Sequence, residues 1–316
     1  MKRLTDYAPF LLSPAWKDYV WGGKRLNAEY AKNIPAEPLA ETWECSTHPD
    51  GISTVANGKF AGEKLTEALS SIPGAIGHGE DELPVLIKLI DSASTLSVQV
   101  HPDDAYAAEH ENGSRGKTET WYILDADEDA FLYYGFSRKT DREEVERRAL
   151  DGTLPEILNK VPVKPGDSFF IRPGTVHAIG GGITLCEVQQ SSNITYRLYD
   201  WGRLGADGKP RELHLQKALD VIDYSASPAI AEHPEGSRMI CSCDSFCVYR
   251  IELGEKPFRF TCADSFCAVV AASGDARITY GDTGFTFWKG DCVFVPRGCT
   301  EFSLAGEATV LLTLKK

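Results

Sequence analysis

The strongest constraint on the fold is a pattern that occurs twice. The first unit, Gly166-Asp-Ser-Phe-Phe-Ile-Arg-Pro-Gly-Thr-Val-His177, aligns without a gap with the second unit, Gly290-Asp-Cys-Val-Phe-Val-Pro-Arg-Gly-Cys-Thr-Glu301. Each unit contains a Gly-Asp turn, a short apolar strand and a corner rich in proline and glycine, where the chain reverses. The repeat predicts two β domains of one kind. Their last positions differ, because the first unit ends in His177 and the second in Glu301.

The remaining sequence also favours a mainly β fold. Short runs rich in Val, Ile, Phe, Thr and Tyr are separated by Gly, Pro and Asp, which is typical of sandwiches and barrels. Examples of these runs are Pro84 to Ile90, Thr95 to Val100, Thr118 to Leu124, Asp167 to Ile171, Ile183 to Gln189 and Asp291 to Val295. The repeated unit resembles the second motif of the cupin barrel, so we expect two cupin-like jelly-roll barrels.

Helices are predicted at only a few places. Thr140-Asp-Arg-Glu143 is a capping box, and Thr153-Leu-Pro-Glu156 opens a second short helix. Together they predict a small helical insert over about residues 139–160. A further helix is predicted from Glu212 to about Tyr224, where apolar residues recur at helical spacing.

Two domains follow from a predicted linker. The stretch 227–236 is rich in Pro, Ala and Glu. It divides the chain into a catalytic cupin-like domain over residues 1–226 and a C-terminal cupin-like domain over residues 237–316. Since the second unit has Glu301 in place of a histidine, the C-terminal domain is expected to lack a metal site.

The charge balance excludes some classes of partner. The 316 residues include 33 Lys and Arg against 46 Asp and Glu, a formal net charge of −13. A negative field of this size argues against general nucleic-acid binding and against a polybasic membrane surface. An anionic ligand would therefore need a local cluster of cations.

Cellular location and thiol state are also predicted from composition. Asp6, Pro9 and Pro14 interrupt any apolar signal region, and no stretch is long and apolar enough to span a bilayer. We expect a cytosolic protein without membrane association. The nine cysteines lack paired C-x-x-C spacing and are interpreted as reduced thiols.

Strand alternation predicts a polar site. In Leu96-Ser-Val-Gln-Val-His101, Ser97, Gln99 and His101 share one face, and in Lys117-Thr-Glu-Thr-Trp121 the lysine, Glu119 and the tryptophan do so. With His177 at the corner of the first unit, these residues suggest a metal site of two imidazoles and one carboxylate, with the Gln99 amide as a further ligand. The other histidines, His48, His78, His110, His214 and His233, are interpreted as ordinary polar residues.

Several motifs in order carry a resemblance to a known family. They are Trp16-Lys-Asp-Tyr-Val-Trp-Gly22, Ala40-Glu-Thr-Trp-Glu-Cys-Ser-Thr-His48-Pro, Leu83-Pro-Val-Leu-Ile-Lys88, Leu96 to His101-Pro-Asp, Gly116-Lys-Thr-Glu119, Pro173-Gly-Thr-Val-His177-Ala-Ile and Cys186-Glu-Val-Gln-Gln-Ser-Ser-Asn. Over roughly two thirds of its length, the chain resembles type I mannose-6-phosphate isomerases in their short bacterial form.

The resemblance implies an activity and a cofactor. It implies one zinc ion per chain, held by Gln99, His101, Glu119 and His177. It implies reversible conversion of mannose 6-phosphate into fructose 6-phosphate through a cis-enediol. A soluble sugar phosphate is then the partner of a monomer or homodimer.

Residue roles also follow from the resemblance. Arg197, Lys117 and Glu187 are predicted as catalytic. The substrate-binding residues are predicted to be Trp21, Glu41, Lys88, Ser97 and Arg203. The proton-transfer base stays open among Glu187, Glu41, His48 and a zinc-bound water, and phosphate could be bound by Lys88, Lys117, Arg197 or Arg203.

The chain departs from the family at one motif. Many relatives have Ser-Asp-Asn before the arginine, where this chain has Ser191-Ser192-Asn193, so no role of that aspartate is carried over. Two alternative functions remain. One is a cupin oxygenase with ferrous iron, which needs no phosphate-binding cations. The other is a non-catalytic sugar-phosphate sensor, which would not need an intact set of metal ligands.

Overall fold

The computed structural model describes residues 8–77, 82–205, 208–227, 232–299 and 301–316. These residues form three antiparallel sheets with a few short helices. We number the strands β1 to β20 and the helices α1 to α5 in chain order. The mainly β fold predicted from the sequence is confirmed. None of the helices described is long and apolar enough to cross a membrane.

The first sheet has six strands and lies under the candidate site. In spatial order its strands are β10 (Ser168–Ile171), β7 (Glu119–Ala126), β12 (Ile183–Gln190), β5 (Val85–Ser92), β3 (Glu41–Cys45) and β2 (Ala15–Lys17). The central strands β5 and β12 are buried at every position and pair from Ile183 opposite Ser92 to Gln190 opposite Val85. Their burial on both faces explains the near-continuous apolar runs that predicted them.

A second sheet of five strands contributes the other half of the site. Its order is β13 (Tyr196–Tyr199), β6 (Val98–Val100), β11 (His177–Ile179), β8 (Phe131–Phe136) and β9 (Leu158–Pro162). Apolar residues on its far face, including Val98, Val100 and Leu198, pack against the helices.

A third sheet is built mainly from the C-terminal part of the chain. Its main path is β14 (Arg238–Ser242), β15 (Cys247–Glu252), β20 (Phe302–Leu314), β17 (Cys267–Tyr280), β19 (Cys292–Val295), β1 (Phe10–Ser13) and β4 (Thr54–Val55). Strand β16 (Phe258–Phe260) pairs with β20, and β18 (Thr283–Trp288) pairs with β17. The N-terminal strand β1 thus lies beside a strand of the predicted C-terminal domain.

The helices are short and lie at the edges of the sheets. They are α1 (Arg25–Glu29), α2 (Leu65–Ser71), α3 (Asp104–His110), α4 (Arg142–Asp151) and α5 (Leu215–Val221), with 3-10 turns at Gly58–Phe60 and Leu154–Ile157. Helix α5 lies within the range predicted from Glu212 to Tyr224.

The predicted helical insert is present, with two corrections. The N-cap of α4 is Asp141, whose side chain accepts the Glu144 N–H, while Thr140 instead donates to the Glu144 carboxylate. The predicted box therefore lies one residue too early. Residues 158–160, expected in the insert, belong to β9, because the segment after the 3-10 turn pairs with β8.

The repeated units have the same backbone geometry. Gly166 and Gly290 both have positive φ, 93° and 92°, and the strands that follow are β10 and β19. The carboxylate of Asp167 accepts the Lys164 N–H at 2.9 Å, and that of Asp291 accepts the Trp288 N–H at 2.9 Å. The sequence repeat is thus a structural repeat down to its turn hydrogen bonds.

The predicted linker is described only in part, because residues 228–231 lie outside the described residues. On either side the chain is tied to the five- and six-stranded sheets: the Ser227 N–H donates to Phe136 and the Glu232 N–H to Ser168. All nine cysteines are free thiols, as predicted.

Candidate active site

The six-stranded sheet places four polar and aromatic side chains in one row. Glu187 pairs with Trp121 on one side and with Lys88 on the other, and Lys88 pairs in turn with Trp43. Residues directly opposite each other in neighbouring antiparallel strands point to the same face. The register therefore gathers these four side chains on one surface.

The five-stranded sheet presents a matching row. Gln99 lies opposite His177 on one side and opposite Arg197 on the other. His101 comes directly after β6 and is two residues from Gln99. Its side chain therefore points to the same face as Gln99, as the sequence predicts. Three strands that lie far apart in the sequence, β6, β11 and β13, thus bring an arginine and two histidines to one face.

A compact cluster of possible metal ligands forms where the two sheets meet. Potential ligand atoms of His101, Glu119 and His177 all lie within 4.8 Å of one another, and all three residues are buried. Glu119 Oε2 and His177 Nε2, which lie 3.9 Å apart, are buried without a hydrogen-bond partner. Buried polar atoms are nearly always satisfied, so this pair of atoms fits a bound cation.

The histidines are held in the tautomer that a metal requires. The Nδ1 atom of His101 lies 2.8 Å from the Ile194 carbonyl oxygen, and that of His177 lies 2.9 Å from the Thr175 oxygen. Because a carbonyl only accepts, each Nδ1 carries the proton and each Nε2 presents a lone pair. Burial lowers the pKa of His101 to about 3 and also lowers the pKa of His177. Both rings are therefore neutral.

Lys117 lies directly against this cluster. Its Nζ is 2.5 Å from Glu119 Oε1 and 3.4 Å from His101 Nε2. Burial would raise the pKa of Glu119, but the charge of Lys117 together with the contacts to His101 and His177 holds that pKa well below its usual range. The carboxylate is thus ionised, as a metal ligand must be.

A second charged group is built around Lys88. Its Nζ lies 3.2 Å from Glu187 Oε2 and 3.7 Å from Glu41 Oε2. Each carboxylate also accepts an indole N–H: Trp121 donates to Glu187 at 3.0 Å and Trp43 donates to Glu41 at 2.7 Å. Burial would lower the pKa of Lys88, but Glu41 and Glu187 outweigh burial and raise it. The lysine therefore stays charged.

The pKa of Glu187 is raised. Burial raises the pKa of Glu187, and the nearby charge of Glu119 raises it further. Its Oε2 is buried without a hydrogen-bond partner. A carboxylate with a raised pKa, and with one oxygen that only the Lys88 ammonium faces, is suited to accept and return a proton.

These groups open on a cavity of about 360 Å³. The predicted residues that line it are Trp21, Glu41, Lys88, Ser97, Gln99, Lys117, Glu187 and Arg197. Arg203 is not among the lining residues of the described chain. Its guanidinium donates instead to the Thr95 carbonyl at 2.8 Å and to Asp200 at 2.9 Å.

His48 lies at a different place from the cavity. It lines a separate depression of about 540 Å³ with Leu69 and Pro73, and its ring packs edge-on against Trp43 at 5.8 Å. Among the described lining residues, Glu187 and Glu41 line the cavity, whereas His48 does not.

Sequence reasoning missed some residues of the cavity wall. The structure adds Tyr19, Asn193, Thr195, Arg211 and His214. Arg211 and His214 occur in the stretch Arg-Glu-Leu-His before α5, but only the fold shows that this stretch returns to Arg197. The His214 N–H donates to the Arg197 carbonyl at 2.8 Å.

Two stretches of this chain match known protein families. Residues 10–129 match the family described as "Phosphomannose isomerase type I, catalytic domain". Residues 237–314 match "Mannose-6-phosphate isomerase, cupin domain". The chain thus resembles this family at both ends of its length.

Individual relatives match nearly the whole chain. The chain is 38% identical to mannose-6-phosphate isomerase ManA of Bacillus subtilis (strain 168), over 96% of this chain and 98% of that protein. A crystal structure of the mannose 6-phosphate isomerase from Bacillus subtilis matches at a TM-score of 0.86 and 33% identity, covering 97% of this chain and 99% of that one. The Salmonella typhimurium enzyme, in a structure bound to fructose 6-phosphate and zinc, shares the fold at 17% identity and a TM-score of 0.77, covering 98% and 99%.

Proposed function

This chain belongs to the type I phosphomannose isomerase family and is an isomerase, and we propose that it interconverts mannose 6-phosphate and fructose 6-phosphate with one bound zinc ion. The observation that carries the proposal is the buried His101, Glu119 and His177 cluster beside a cavity lined with charged residues. Its location in the cytosol and its state as a monomer or homodimer are predictions from the sequence.

The metal would be held by His101, Glu119 and His177, with Gln99 as a fourth ligand from the neighbouring strand. Two neutral imidazoles, a carboxylate and an amide oxygen suit zinc and leave room for a substrate oxygen. When bound, zinc supplies a Lewis acid that polarises oxygens of the open-chain sugar. The Nδ1 bonds of the two histidines would orient the ligands.

Glu187 is the residue we assign to proton transfer between C1 and C2. Aldose–ketose isomerisation removes a proton from one carbon and returns it to the other, so a single carboxylate can serve both steps through a cis-enediol. Trp121 holds Oε1 of Glu187 and leaves Oε2 facing Lys88. The raised pKa of Glu187 is closer to neutral pH than the usual pKa of a glutamate.

The charge that develops on the enediolate needs a fixed cation. Lys117 is held by Glu119 and Arg197 by its strand pairing with Gln99, and both line the cavity. A preorganised positive group lowers the barrier because it need not reorient as the oxygen becomes charged. Lys88 would hold the Glu41 and Glu187 carboxylates in place.

The proposal is tested by metal analysis and a coupled assay with mannose 6-phosphate. We expect about one zinc per chain and loss of turnover on chelation. Turnover that persists without metal, or a zinc-loaded enzyme without turnover, would contradict it. Dioxygen consumption with ferrous iron would instead indicate a cupin oxygenase, and sugar-phosphate binding without turnover a sensor.

Arg197→Ala tests the catalytic assignment at one residue. We expect the variant to keep its zinc and to lose activity by about 10²-fold or more, the effect of removing one donor from a charge-stabilising site. Arg259→Gln, in the C-terminal sheet, is the matched control and should behave as wild type. Unchanged turnover of Arg197→Ala would remove Arg197 from the catalytic set.

A further inference from the structure

The cations of the cavity differ in how far carboxylates neutralise them. Lys88 lies between two carboxylates, those of Glu41 and Glu187, and Lys117 lies against Glu119. Neither lysine therefore leaves excess positive charge for a dianionic ligand. Binding of a phosphate requires uncompensated cations elsewhere.

The arginines supply that excess. Within the described residues, no carboxylate lies at ion-pair distance from Arg197, whose Nε faces Ser97 and whose Nη1 donates to the Glu212 carbonyl. Arg203 and Arg211 share the single carboxylate of Asp200. Arg203 and Arg211 carry two positive charges and Asp200 one negative charge, so this group has a net charge of about +1. Together with Arg197 the net charge is about +2.

Asp200 makes two hydrogen bonds with Arg211 and one with Arg203. It accepts Nε and Nη2 of Arg211 at 2.7 and 2.6 Å, a two-point contact that leaves Nη1 outside the pair. Arg203 uses Nη2 on Asp200 and on the Thr95 carbonyl. Arg211 lines the cavity, whereas Arg203 is not among its described lining residues.

His214 adds a neutral donor beside these charges. Its Nδ1 accepts the Arg197 N–H at 3.2 Å, so its proton is on Nε2. Burial lowers the pKa of His214, and the charge of Arg197 lowers it further, so the ring is neutral. Burial also lowers the pKa of Arg197, followed by the charge of Arg211, which shows that the two guanidinium groups repel each other. A bound anion would relieve this repulsion.

We propose that Arg211, held by Asp200, binds the phosphate of the substrate, and that Arg203 positions Asp200 without touching the ligand. This inference rests on the proposed function. Arg197 lies directly opposite Gln99 in the neighbouring strand and keeps its assignment to the enediolate.

The test uses the zinc-loaded enzyme with Arg211→Gln, Arg211→Lys and the control Arg259→Gln. Inorganic phosphate is the probe, measured as an inhibitor and by tryptophan fluorescence, since Trp21 lines the cavity. We expect Arg211→Gln to raise KM for mannose 6-phosphate and the phosphate inhibition constant about 10- to 100-fold, with kcat less affected and zinc content unchanged. Arg211→Lys should recover part of the affinity.

Asp200→Asn separates positioning from a general structural role. We expect this variant to raise KM for mannose 6-phosphate with a smaller change in kcat. Arg211 loses its two-point contact with Asp200, while His101, Glu119 and His177 are not altered. Unchanged phosphate affinity in Arg211→Gln, or an equal loss in Arg259→Gln, would overturn the proposal. Wild-type enzyme without turnover would contradict the proposed function instead, and the fluorescence titration would still decide whether Arg211 binds phosphate.

Discussion

The first and second units fold alike and yet only one of them serves a site. Both have a glycine at a φ near 90°, an aspartate that closes the turn, and a four-residue strand. His177 ends the first unit fully buried in the metal cluster, whereas Glu301 ends the second exposed and paired with Arg259 at 2.7 Å. The scaffold is therefore separable from the chemistry placed on it.

The neighbouring strand explains the difference as much as the last residue does. Ile171 of the first unit lies opposite Glu119, and Val295, its equivalent in the second, lies opposite Cys267. A buried thiol surrounded by apolar residues stands where the first unit has a ligand carboxylate. A metal site needs both strands of the pair, and the second unit lacks the contribution of each.

The largest expected effect comes from replacing the last residue of the first unit. His177→Ala should lose its zinc and reduce turnover by more than about 100-fold, since even outer-shell partners of a metal can cost that much. Glu301→Ala should change neither value, because its side chain faces solvent. Metal analysis and the coupled assay measure both; similar losses in the two variants would refute the contrast between the units.

A moderate effect is expected from the turn glycines. Replacing either glycine by alanine puts an L side chain at positive φ, which costs about 1–2 kcal/mol of the free energy of unfolding. Gly290→Ala should cost more than Gly166→Ala. A Cβ at Gly290 would lie 3.1 Å from buried Tyr30, whereas at Gly166 it would meet the half-exposed ring of His233 at 3.2 Å, which can move. Urea denaturation measures the two losses, and equal losses or the opposite order would show that the contact with Tyr30 does not decide the difference.

The smallest effect is expected when a histidine is placed in the second unit. Glu301→His should bind no second zinc, because Cys267 on the adjacent strand is buried among apolar residues, and burial raises the pKa of its thiol well above the usual value and keeps it protonated. Zinc content should stay at the wild-type value per chain, with wild-type activity. A second equivalent of zinc would mean that the last residue of the unit alone decides metal binding.

The fold was predictable where the pattern is local. The repeated Gly-Asp turns and the alternation around Gln99 and Glu119 depend on neighbouring residues, and the structure has both features. The pairing of β1 with a strand near the other end of the chain has no local signal. The same holds for the start of α4, where Thr140 and Asp141 are both good caps and packing selects Asp141.

The candidate site was predictable to a similar extent. Eight residues expected in the pocket line one cavity, because the motifs that carry the resemblance are short and ordered. Arg203 was predicted to bind substrate, and Arg211 was not predicted. The two arginines lie close together in the sequence, and only the described lining of the cavity, which includes Arg211, distinguishes them.

The pairing of β1 with β19 ties synthesis of the chain to its folding. Phe10 lies opposite Phe294, so the N-terminal strand has no sheet partner on that side until nearly the whole chain has left the ribosome. Contacts between such distant residues close a long loop and form slowly. Truncation after the first unit would remove β19 and leave β1, which pairs with β4 on its other side, without a partner on that edge, a known hazard for aggregation. The strands of the C-terminal part of the chain therefore complete the sheet that β1 begins.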